Sequence, residues 1–362
     1  MSRPLLFVHP HMEIGGAERQ TVLAAKVLAD RGWKVGLVVF EAKGNLLTQL
    51  PQNVEVHDLG IEQHALALLT AVRLRRLLNQ LRPVAVVSKL WSSNLVCELA
   101  RRMPGAGFQL VLAESLNPSE HVRYIRLGRT KRTLIRQVYR SVGQVACNSE
   151  ATAAAARTVY GPRIAYAIVP PGVALFSGSG VDRAPLTTGP TIVSVGALRP
   201  LKGHRDLVEA LAQVADLPWS WTVIGDGPER EDLAQLLDRR GLRGRVTFTG
   251  EVPDPSSYIA SADLLLHGAK TEGFGAVVIE ALSVGTPVIA ADAPGPVEIL
   301  RDGGGWVFRR GDTAEAARLL RVALTDPHQL PSQHTCRQIA ARYSIERSVD
   351  ALEALLNPVR SR

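Results

Sequence analysis

Short apolar runs alternate with helical patterns along most of the chain. Twelve runs have the length and apolar content of β-strands: Leu5–Pro10, Val35–Phe40, Val54–Leu59, Val84–Ser88, Gln109–Glu114, Gln144–Asn148, Ile164–Pro170, Thr191–Gly196, Trp221–Gly225, Val246–Gly250, Leu264–His267 and Val288–Ala291. Helical stretches such as Ala17–Asp30 and Ala65–Leu81 lie between them, and this alternation favours parallel sheets. Several runs are apolar throughout, as expected of strands covered on both faces. The pattern predicts an α/β protein.

The alternation is interrupted at residues 177–190, where Gly, Ser, Thr and Pro dominate. This composition is typical of a linker, and 362 residues exceed what one ordinary core holds. We predict two doubly wound, Rossmann-like domains, residues 1–176 and 191–340, that face each other across a cleft. Residues 341–362 are predicted to form a C-terminal helix, and the sequence leaves open whether it packs back on the first domain.

Positive charge is concentrated in the first half of the chain. The formal net charge is +8, to which residues 1–176 contribute +11 and residues 177–362 contribute −3. The first half is therefore the expected face for an anionic partner or surface.

The cysteines and the apolar runs predict a cytoplasmic protein. Cys97, Cys147 and Cys336 are far apart and show no metal-ligand spacing, which favours a reducing compartment. The apolar run near the start is too short for a signal peptide, and no run reaches the roughly 20 residues that span a bilayer.

The stretch Lys270–Val288 has the clearest chemical pattern. Glu272 and Glu280 are separated by seven residues, and the second acid lies in a run of Ala, Val, Ile and Leu. A carboxylate in such a run is costly unless it has a partner. A helix start near Gly275 and Ala276 would add N–H groups and a positive dipole end at the same place. The pattern predicts a site for a phosphorylated, hydroxyl-rich ligand.

Two other strand-to-helix turns contain candidate ligand contacts. Gly15 and Gly16 follow the first strand and open the first helix, where glycine lets the backbone approach an anion. Arg199 and Lys202 follow the first strand of the second domain, where two cations would neutralise a diphosphate. Taken singly, each pattern also fits a plain turn or a pair of solvated surface cations.

In their order along the chain, these motifs resemble those of the family 4 retaining glycosyltransferases of GT-B fold. The resemblance rests on G-G-A-E-R at 15–19, V-P-P-G-V at 169–173, G-A-L-R-P-L-K-G at 196–203, I-G-D-G-P at 224–228, F-T-G-E-V at 248–252 and E-G-F-G-A-V-V-I-E-A at 272–281. It covers nearly the whole chain and is densest in residues 190–300. Each motif alone is weak, whereas the ordered set is specific.

The resemblance implies a role for each of these residues. Gly15 and Gly16 would offer their amides to the diphosphate of a nucleotide-sugar donor. Arg199 and Lys202 would hold that diphosphate and stabilise the leaving group. Glu272 would bind the hydroxyls of the transferred sugar. The remaining implied donor contacts lie at the nucleobase, the helix start and the ribose: Val252, Phe274, the amides of Gly275, Ala276 and Val277, and Glu280.

The resemblance also implies transfer with retention of anomeric configuration, without a metal or cofactor. A donor phosphate oxygen would take the acceptor's proton, and the sequence has no D-x-D motif for a metal. Many members have a catalytic histidine after a first-domain strand. Here His121 comes several residues later than that position, so Glu114 and Asn117 remain alternatives. Ala269 stands where many relatives have serine, which would change only a minor contact.

A dense basic stretch runs from Arg123 to Arg140. Its arginines 129, 132, 136 and 140 recur at helical spacing. Such a face would dock on anionic lipid at about 1 kcal/mol per basic residue near the surface, or would bind an anionic acceptor. It also fits a basic helix face that is simply solvated.

Together these features predict a retaining hexosyltransferase that moves a sugar from a UDP- or GDP-sugar to a lipid-linked or polysaccharide acceptor in cell-envelope glycan synthesis. The first domain would bind the acceptor, and Arg123–Arg140 would hold the enzyme at the inner face of the cytoplasmic membrane. A nucleotide-sugar epimerase of the same fold is an alternative, which the glutamate pair and the G-G-A-E loop argue against. A basic nucleic-acid-binding protein is an alternative of another class, but the six Tyr and seven Phe form no aromatic–basic platform.

Overall fold

The structure, a computed structural model, describes residues 4–13, 15–62, 67–105, 107–115, 118, 129–142, 144–174 and 189–360. The chain divides into two compact units, one of Met1–Ala174 with Ile345–Arg362 and one of Leu175–Ser344. Each unit is built on a parallel sheet whose strands alternate with helices, which confirms the predicted fold class. Most of the predicted linker, residues 177–188, lies outside the described residues.

The first unit has a seven-stranded sheet of order β3-β2-β1-β4-β5-β6-β7. Its strands are β1 (Leu5–His9), β2 (Val35–Val39), β3 (Glu55–Asp58), β4 (Ala85–Lys89), β5 (Gln109–Glu114), β6 (Gln144–Cys147) and β7 (Ala165–Ile168). Its helices, in chain order, include α1 (Gly16–Asp30), α2 (Ala67–Leu81), α3 (Trp91–Arg102), α4 (Arg129–Val142) and α5 (Glu150–Tyr160).

The centre of this sheet is covered on both faces, as its apolar strands predict. Leu5 and Phe7 of β1 belong to one buried cluster, whereas Leu6 and Val8 belong to the cluster on the other face. Because successive strand residues point to opposite faces, a central strand with helices on both sides must be apolar at every position.

The second unit has a six-stranded sheet of order β10-β9-β8-β11-β12-β13. Its strands are β8 (Thr191–Val195), β9 (Ser220–Ile224), β10 (Val246–Gly250), β11 (Leu264–His267), β12 (Val288–Ala291) and β13 (Gly305–Phe308). Its helices are α6 (His204–Ala212), α7 (Arg230–Arg239), α8 (Ser256–Ser261), α9 (Ala276–Val284), α10 (Pro294–Leu300), α11 (Thr313–Thr325) and α12 (Gln333–Ala340). The sequence pattern misses β13, since this edge strand is only partly buried and its apolar run follows glycines.

The C-terminal helix α13 (Ile345–Arg360) packs within the first unit, against α1. Its Val349 and Leu356 are fully buried in the cluster that also holds Leu28 of α1. At the rim, the Trp33 Nε1–H donates to Glu353 Oε1 at 2.6 Å. Buried apolar contacts and the hydrogen bond at their rim therefore hold α13 in the first unit. All other described elements of this unit come before residue 175.

Truncation of Leu356 to alanine tests how much this packing stabilises the first unit. We expect Leu356→Ala to lower the free energy of unfolding by about 2–5 kcal/mol, because it leaves a cavity in a closed core. Lys26→Ala, on the exposed side of α1, should change it by no more than about 0.5 kcal/mol. Urea unfolding of both variants measures the difference, and equal stabilities would contradict the packing described.

Candidate active site

The second sheet changes its winding direction between β8 and β11. These strands pair directly, although β9 and β10 come between them in sequence. The connections after two such strands lead to opposite faces of the sheet, and ligands of doubly wound sheets bind at the carboxyl edge beside that point. Lys202 follows β8 and Glu272 follows β11, so both predicted residues lie at this switch point.

The two loops touch through their backbones. Gly203 has a φ of 68°, a left-handed conformation that glycine adopts readily, and a Cβ at this position would overlap the carbonyl oxygen of Gly268. The Lys270 N–H also donates to the Leu201 carbonyl oxygen at 2.8 Å. A side chain at position 203 would push the loops apart, so this glycine allows Lys202 to reach Glu272.

Lys202 and Glu272 form a direct ion pair. Lys202 Nζ donates to Glu272 Oε2 at 2.6 Å, and the side chains are 31% and 19% exposed. Burial acts to raise the pKa of Glu272, but the charge of Lys202, the electrostatic effect of His267, and hydrogen bonds from Lys202 and the Phe274 backbone lower it overall. The carboxylate is therefore charged at neutral pH and is held at an edge that a ligand can reach.

Two buried histidines lie beside this pair, and sequence reasoning did not single them out. His267 ends β11, and its Nε2 lies 3.8 Å from Glu272 Oε2. His204 opens α6 after Gly203. Burial is the main cause that lowers the pKa of each histidine to about 4, so both are neutral at pH 7. The one sequence signal for His267 is a polar residue that ends the apolar run L-L-L-H.

Helix α9 begins beside Glu272. Its N-cap is Gly275, with a φ of 92°, and the first N–H groups of a helix, here those of Ala276 and Val277, have no partner within it. Glu280 is half-buried in the second turn. The Phe274 side chain is 3% exposed and packs edge-on against the Tyr343 ring, so Phe274 anchors the loop and presents only its backbone to the edge.

The other predicted residues of this unit lie on the same edge of the sheet. Arg199 is exposed at the N-cap of a short 3₁₀ helix, Pro200–Lys202. Val252 is half-buried in the segment that follows β10.

The first sheet has its switch point between β1 and β4. Gly15 is the N-cap of α1 and has an extended backbone, and a Cβ on it would overlap the carboxylate of Glu18. Gly16 opens the helix and has open space around its Cα. Glu18 is buried, and burial raises the pKa of its carboxyl group. In the predicted G-G-A-E loop, the carboxylate of Glu18 thus lies against Gly15.

Lys89 ends β4 on this edge and was not predicted. Its Nζ lies 3.5 Å from the Ala17 carbonyl oxygen, and burial lowers its pKa to about 8 against the opposing charge of Glu18. The next residue, Leu90, has a φ of 70°, a strained conformation for a residue with a side chain.

The predicted catalytic residue of the first unit lies outside the described residues, since neither His121 nor Asn117 is among them. The alternative, Glu114, is buried at the end of β5. Its Oε2 accepts hydrogen bonds from the hydroxyls of Tyr139 at 2.8 Å and Tyr160 at 2.9 Å. The two tyrosine rings are stacked with centroids 4.1 Å apart. Glu114 therefore connects α4 and α5 to the sheet, a role that no sequence pattern indicated.

The basic stretch is only partly described, as residues 119–128 and the side chains of residues 129–132 lie outside. Arg136 Nε donates to the Val159 carbonyl oxygen at 2.5 Å, and Arg140 Nε donates to that of Tyr160 at 3.1 Å. These two arginines satisfy carbonyl groups at the end of α5, where cations are favourable. Two arginines of the predicted basic face therefore make hydrogen bonds within the first unit.

Comparison with protein families identifies the class. Residues 182–343 match the family described as "Glycosyl transferases group 1", and residues 15–172 match the "Glycosyl transferase 4-like domain". The chain belongs to the group 1 glycosyltransferases, family 4 of the GT-B fold.

Curated relatives match over part of their length. The chain is 34% identical over 159 residues to the lipopolysaccharide core biosynthesis glycosyltransferase LpsE of Rhizobium meliloti (strain 1021), which is 42% of this chain and 46% of that protein. It is 29% identical over 185 residues to the alpha-D-kanosaminyltransferase of Streptomyces kanamyceticus, 49% of this chain and 48% of that protein. The chain thus spans about half the length of these relatives.

Solved structures match over nearly the whole chain. Sucrose-phosphate synthase from Thermosynechococcus elongatus superposes with a TM-score of 0.86 at 19% identity, covering 99% of this chain and all of that one (100%). Anabaena Alr3699/HepE in complex with UDP and glucose gives 0.83 at 24% identity, covering 98% and 100%. At these identities the likeness shows the fold.

Among the residues that the structure describes, none of the helices has the length and apolar character that a membrane crossing requires.

The contact between Gly203 and Gly268 can be tested against a glycine of the same conformation. Gly241 has a φ of 70° but open space around it. We expect Gly241→Ala to cost about 1–2 kcal/mol for its backbone conformation alone. Gly203→Ala should cost more, because the loops must also separate. Urea unfolding measures both, and equal costs would contradict the close approach of the loops.

Proposed function

We propose that the protein transfers a sugar from a nucleotide-diphosphate sugar, with UDP or GDP, to a lipid-linked or polysaccharide acceptor in cell-envelope glycan synthesis. The observation that carries the proposal is the Lys202–Glu272 pair at the switch point of the second sheet, at 2.6 Å. An ammonium and a carboxylate side by side match a ligand with phosphate at one end and sugar hydroxyls at the other. The match to a lipopolysaccharide core biosynthesis glycosyltransferase supports this acceptor class.

In this proposal the cations of the second unit act on the donor's diphosphate. Lys202 and Arg199 neutralise it in the bound state and stabilise the charge that develops on the leaving nucleotide as the sugar bond breaks. Groups that are already in place before the reaction stabilise this charge without having to reorganise. Their electrostatic stabilisation of the transition state is therefore a large contribution to catalysis in enzymes. Lys202 is held by Glu272 and by the 3₁₀ turn that follows β8.

Glu272 orients the transferred sugar in this proposal. Its pKa is lowered overall by Lys202, so the carboxylate accepts hydrogen bonds from sugar hydroxyls at neutral pH. The amides of Gly275, Ala276 and Val277 add donors at the start of α9, and Glu280 accepts from the ribose hydroxyls. Val252 contacts the nucleobase through its backbone.

The reaction is proposed to retain the anomeric configuration and to need no metal, with a donor phosphate oxygen taking the acceptor's proton. In the first unit, Gly15 and Gly16 are proposed to offer amides to an anion. Because Glu114 Oε2 already accepts from two tyrosines, we favour His121 or Asn117 for the catalytic position of that unit.

Neither alternative function is favoured. Matched relatives are named as lipopolysaccharide core biosynthesis glycosyltransferases and as a 2-deoxystreptamine glucosyltransferase, and these names do not support an epimerase or a nucleic-acid-binding protein.

Transfer kinetics test the proposed site. We expect Glu272→Gln to lower kcat about 10–100-fold, the worth of a hydrogen bond to a charged group. Lys202→Ala should lower it about 100-fold or more, as loss of a preorganised charge does. The assay supplies UDP-glucose, UDP-galactose or GDP-mannose with a lipopolysaccharide core preparation, and measures released nucleoside diphosphate.

Arg205→Ala is the matched control, since Arg205 is an exposed cation three residues after Lys202. It should turn over like the unmodified protein, and all variants are compared after thermal unfolding confirms that they fold. Proton NMR of the product and addition of EDTA test retention and metal independence. Unchanged turnover in folded Glu272→Gln and Lys202→Ala variants would refute the site.

We also propose that the basic stretch Arg123–Arg140 docks the protein on an anionic membrane surface. The +11 charge of the first half supports this, and Arg136 and Arg140 remain exposed although each donates one N–H to a carbonyl group of α5. The protein should float with vesicles containing phosphatidylglycerol at low salt and not with neutral vesicles.

Arg123→Glu with Arg126→Glu should abolish this flotation, whereas Lys26→Glu, an exposed charge reversal on α1, should leave it in place. Equal recovery with neutral and anionic vesicles would contradict membrane docking.

A further inference from the structure

His267 is a buried residue close to the Glu272 carboxylate. Its side chain is 5% exposed, and its Nε2 is 3.8 Å from Glu272 Oε2. Among the described residues, this Nε2 has no hydrogen-bond partner. Buried polar atoms without a partner are rare, and one beside a functional group needs a reason. A hydrogen bond requires about 2.7–3.2 Å, so a side-chain shift of less than about 1 Å would form it.

We propose that His267 is a positioning residue for Glu272: its Nε2–H and the Lys202 ammonium together hold the carboxylate toward the transferred sugar. This rests on the proposed donor site and adds a residue that neither the sequence motifs nor the implied donor contacts include.

The two groups lie near the same carboxylate oxygen, Oε2 of Glu272. Lys202 reaches Oε2 with a flexible side chain that is 31% exposed, and its ammonium also serves the diphosphate in the proposed mechanism. The imidazole is fixed at the end of β11, whose register pairs His267 with Ala290 of β12. His267 therefore holds the carboxylate from a fixed position in the sheet, whereas Lys202 holds it through a flexible side chain.

A neutral donor suits this position. The charged and titratable groups that act on His267 are Glu272, Lys202 and the neighbouring His204. Burial keeps the imidazole neutral at pH 7, since it lowers the pKa of His267 to about 4. His267 can thus donate to Glu272 without competing with Lys202 as a second cation, and the carboxylate keeps its charge for the sugar hydroxyls.

Three substitutions separate the hydrogen bond from the packing. The amide nitrogen of His267→Gln lies near the position of Nε2, that of His267→Asn lies near Nδ1, and His267→Leu has no donor. With UDP-glucose, UDP-galactose or GDP-mannose and a lipopolysaccharide core preparation, we expect the Leu and Asn variants to lose about 10-fold or more in kcat. The donor KM should change less, and His267→Gln should recover most of the lost kcat. A Gln variant no better than the Leu variant overturns the proposal.

A double-mutant cycle gives the second readout. If His267 acts through Glu272, then His267→Leu costs less than about 2-fold in the Glu272→Gln background. A loss there as large as in the unmodified protein means that His267 serves packing alone, and this overturns the proposal.

Imidazole ¹⁵N NMR of the full chain needs no substrate and so separates this proposal from the proposed function. We expect His267 as the neutral Nε2–H tautomer at pH 7, with a ¹⁵N shift that changes in Glu272→Gln. An unprotonated Nε2, or a His267 ¹⁵N chemical shift that is the same in Glu272→Gln, overturns the positioning role even if transfer is observed. No turnover with any of the three donors, together with the expected spectrum, would instead refute the proposed function.

Discussion

The pairing of Lys202 Nζ with Glu272 Oε2 at 2.6 Å is the interaction on which the rest of the candidate site depends. It exists because β8 and β11 are neighbours at the switch point of their sheet. It also needs Gly203, because the absence of a Cβ there lets the loop after β8 contact Gly268 in the loop after β11. Since half-buried charges are costly unless paired, the pair fixes the charge state of Glu272 and the surroundings of His267. The chemistry therefore follows from topology and one backbone contact.

Each sheet places an acid and a lysine beside its switch point, but their environments differ. In the first unit burial dominates, raising the pKa of Glu18 and lowering that of Lys89 to about 8. In the second unit burial also acts to raise the pKa of the acid, but the neighbouring groups, Lys202 foremost, together outweigh it and the pKa of Glu272 is lowered. Burial thus shifts both groups of the first unit toward their neutral forms, whereas Glu272 of the second unit keeps its charge.

Much of this could be predicted from the sequence, and the failures have physical reasons. The parallel sheets could be predicted from the apolar runs, since strands covered on both faces are apolar at nearly every position. The position of Lys202 and Glu272 on one edge could be predicted because turns after strands of a doubly wound sheet share that edge. Glu114 could not be assigned, because its two tyrosine partners come from helices distant in sequence. His267 was missed because a single histidine ending an apolar run is as consistent with a core position as with a functional one.

The most direct test of the account is calorimetric titration of UDP and GDP and of the corresponding nucleotide sugars. If Lys202 holds the diphosphate and Glu272 holds the sugar, Lys202→Ala weakens binding of both the nucleoside diphosphate and its sugar conjugate. Glu272→Gln then weakens binding of the conjugate alone. Conjugate affinity unchanged in Glu272→Gln, or nucleoside diphosphate affinity unchanged in Lys202→Ala, would contradict the account.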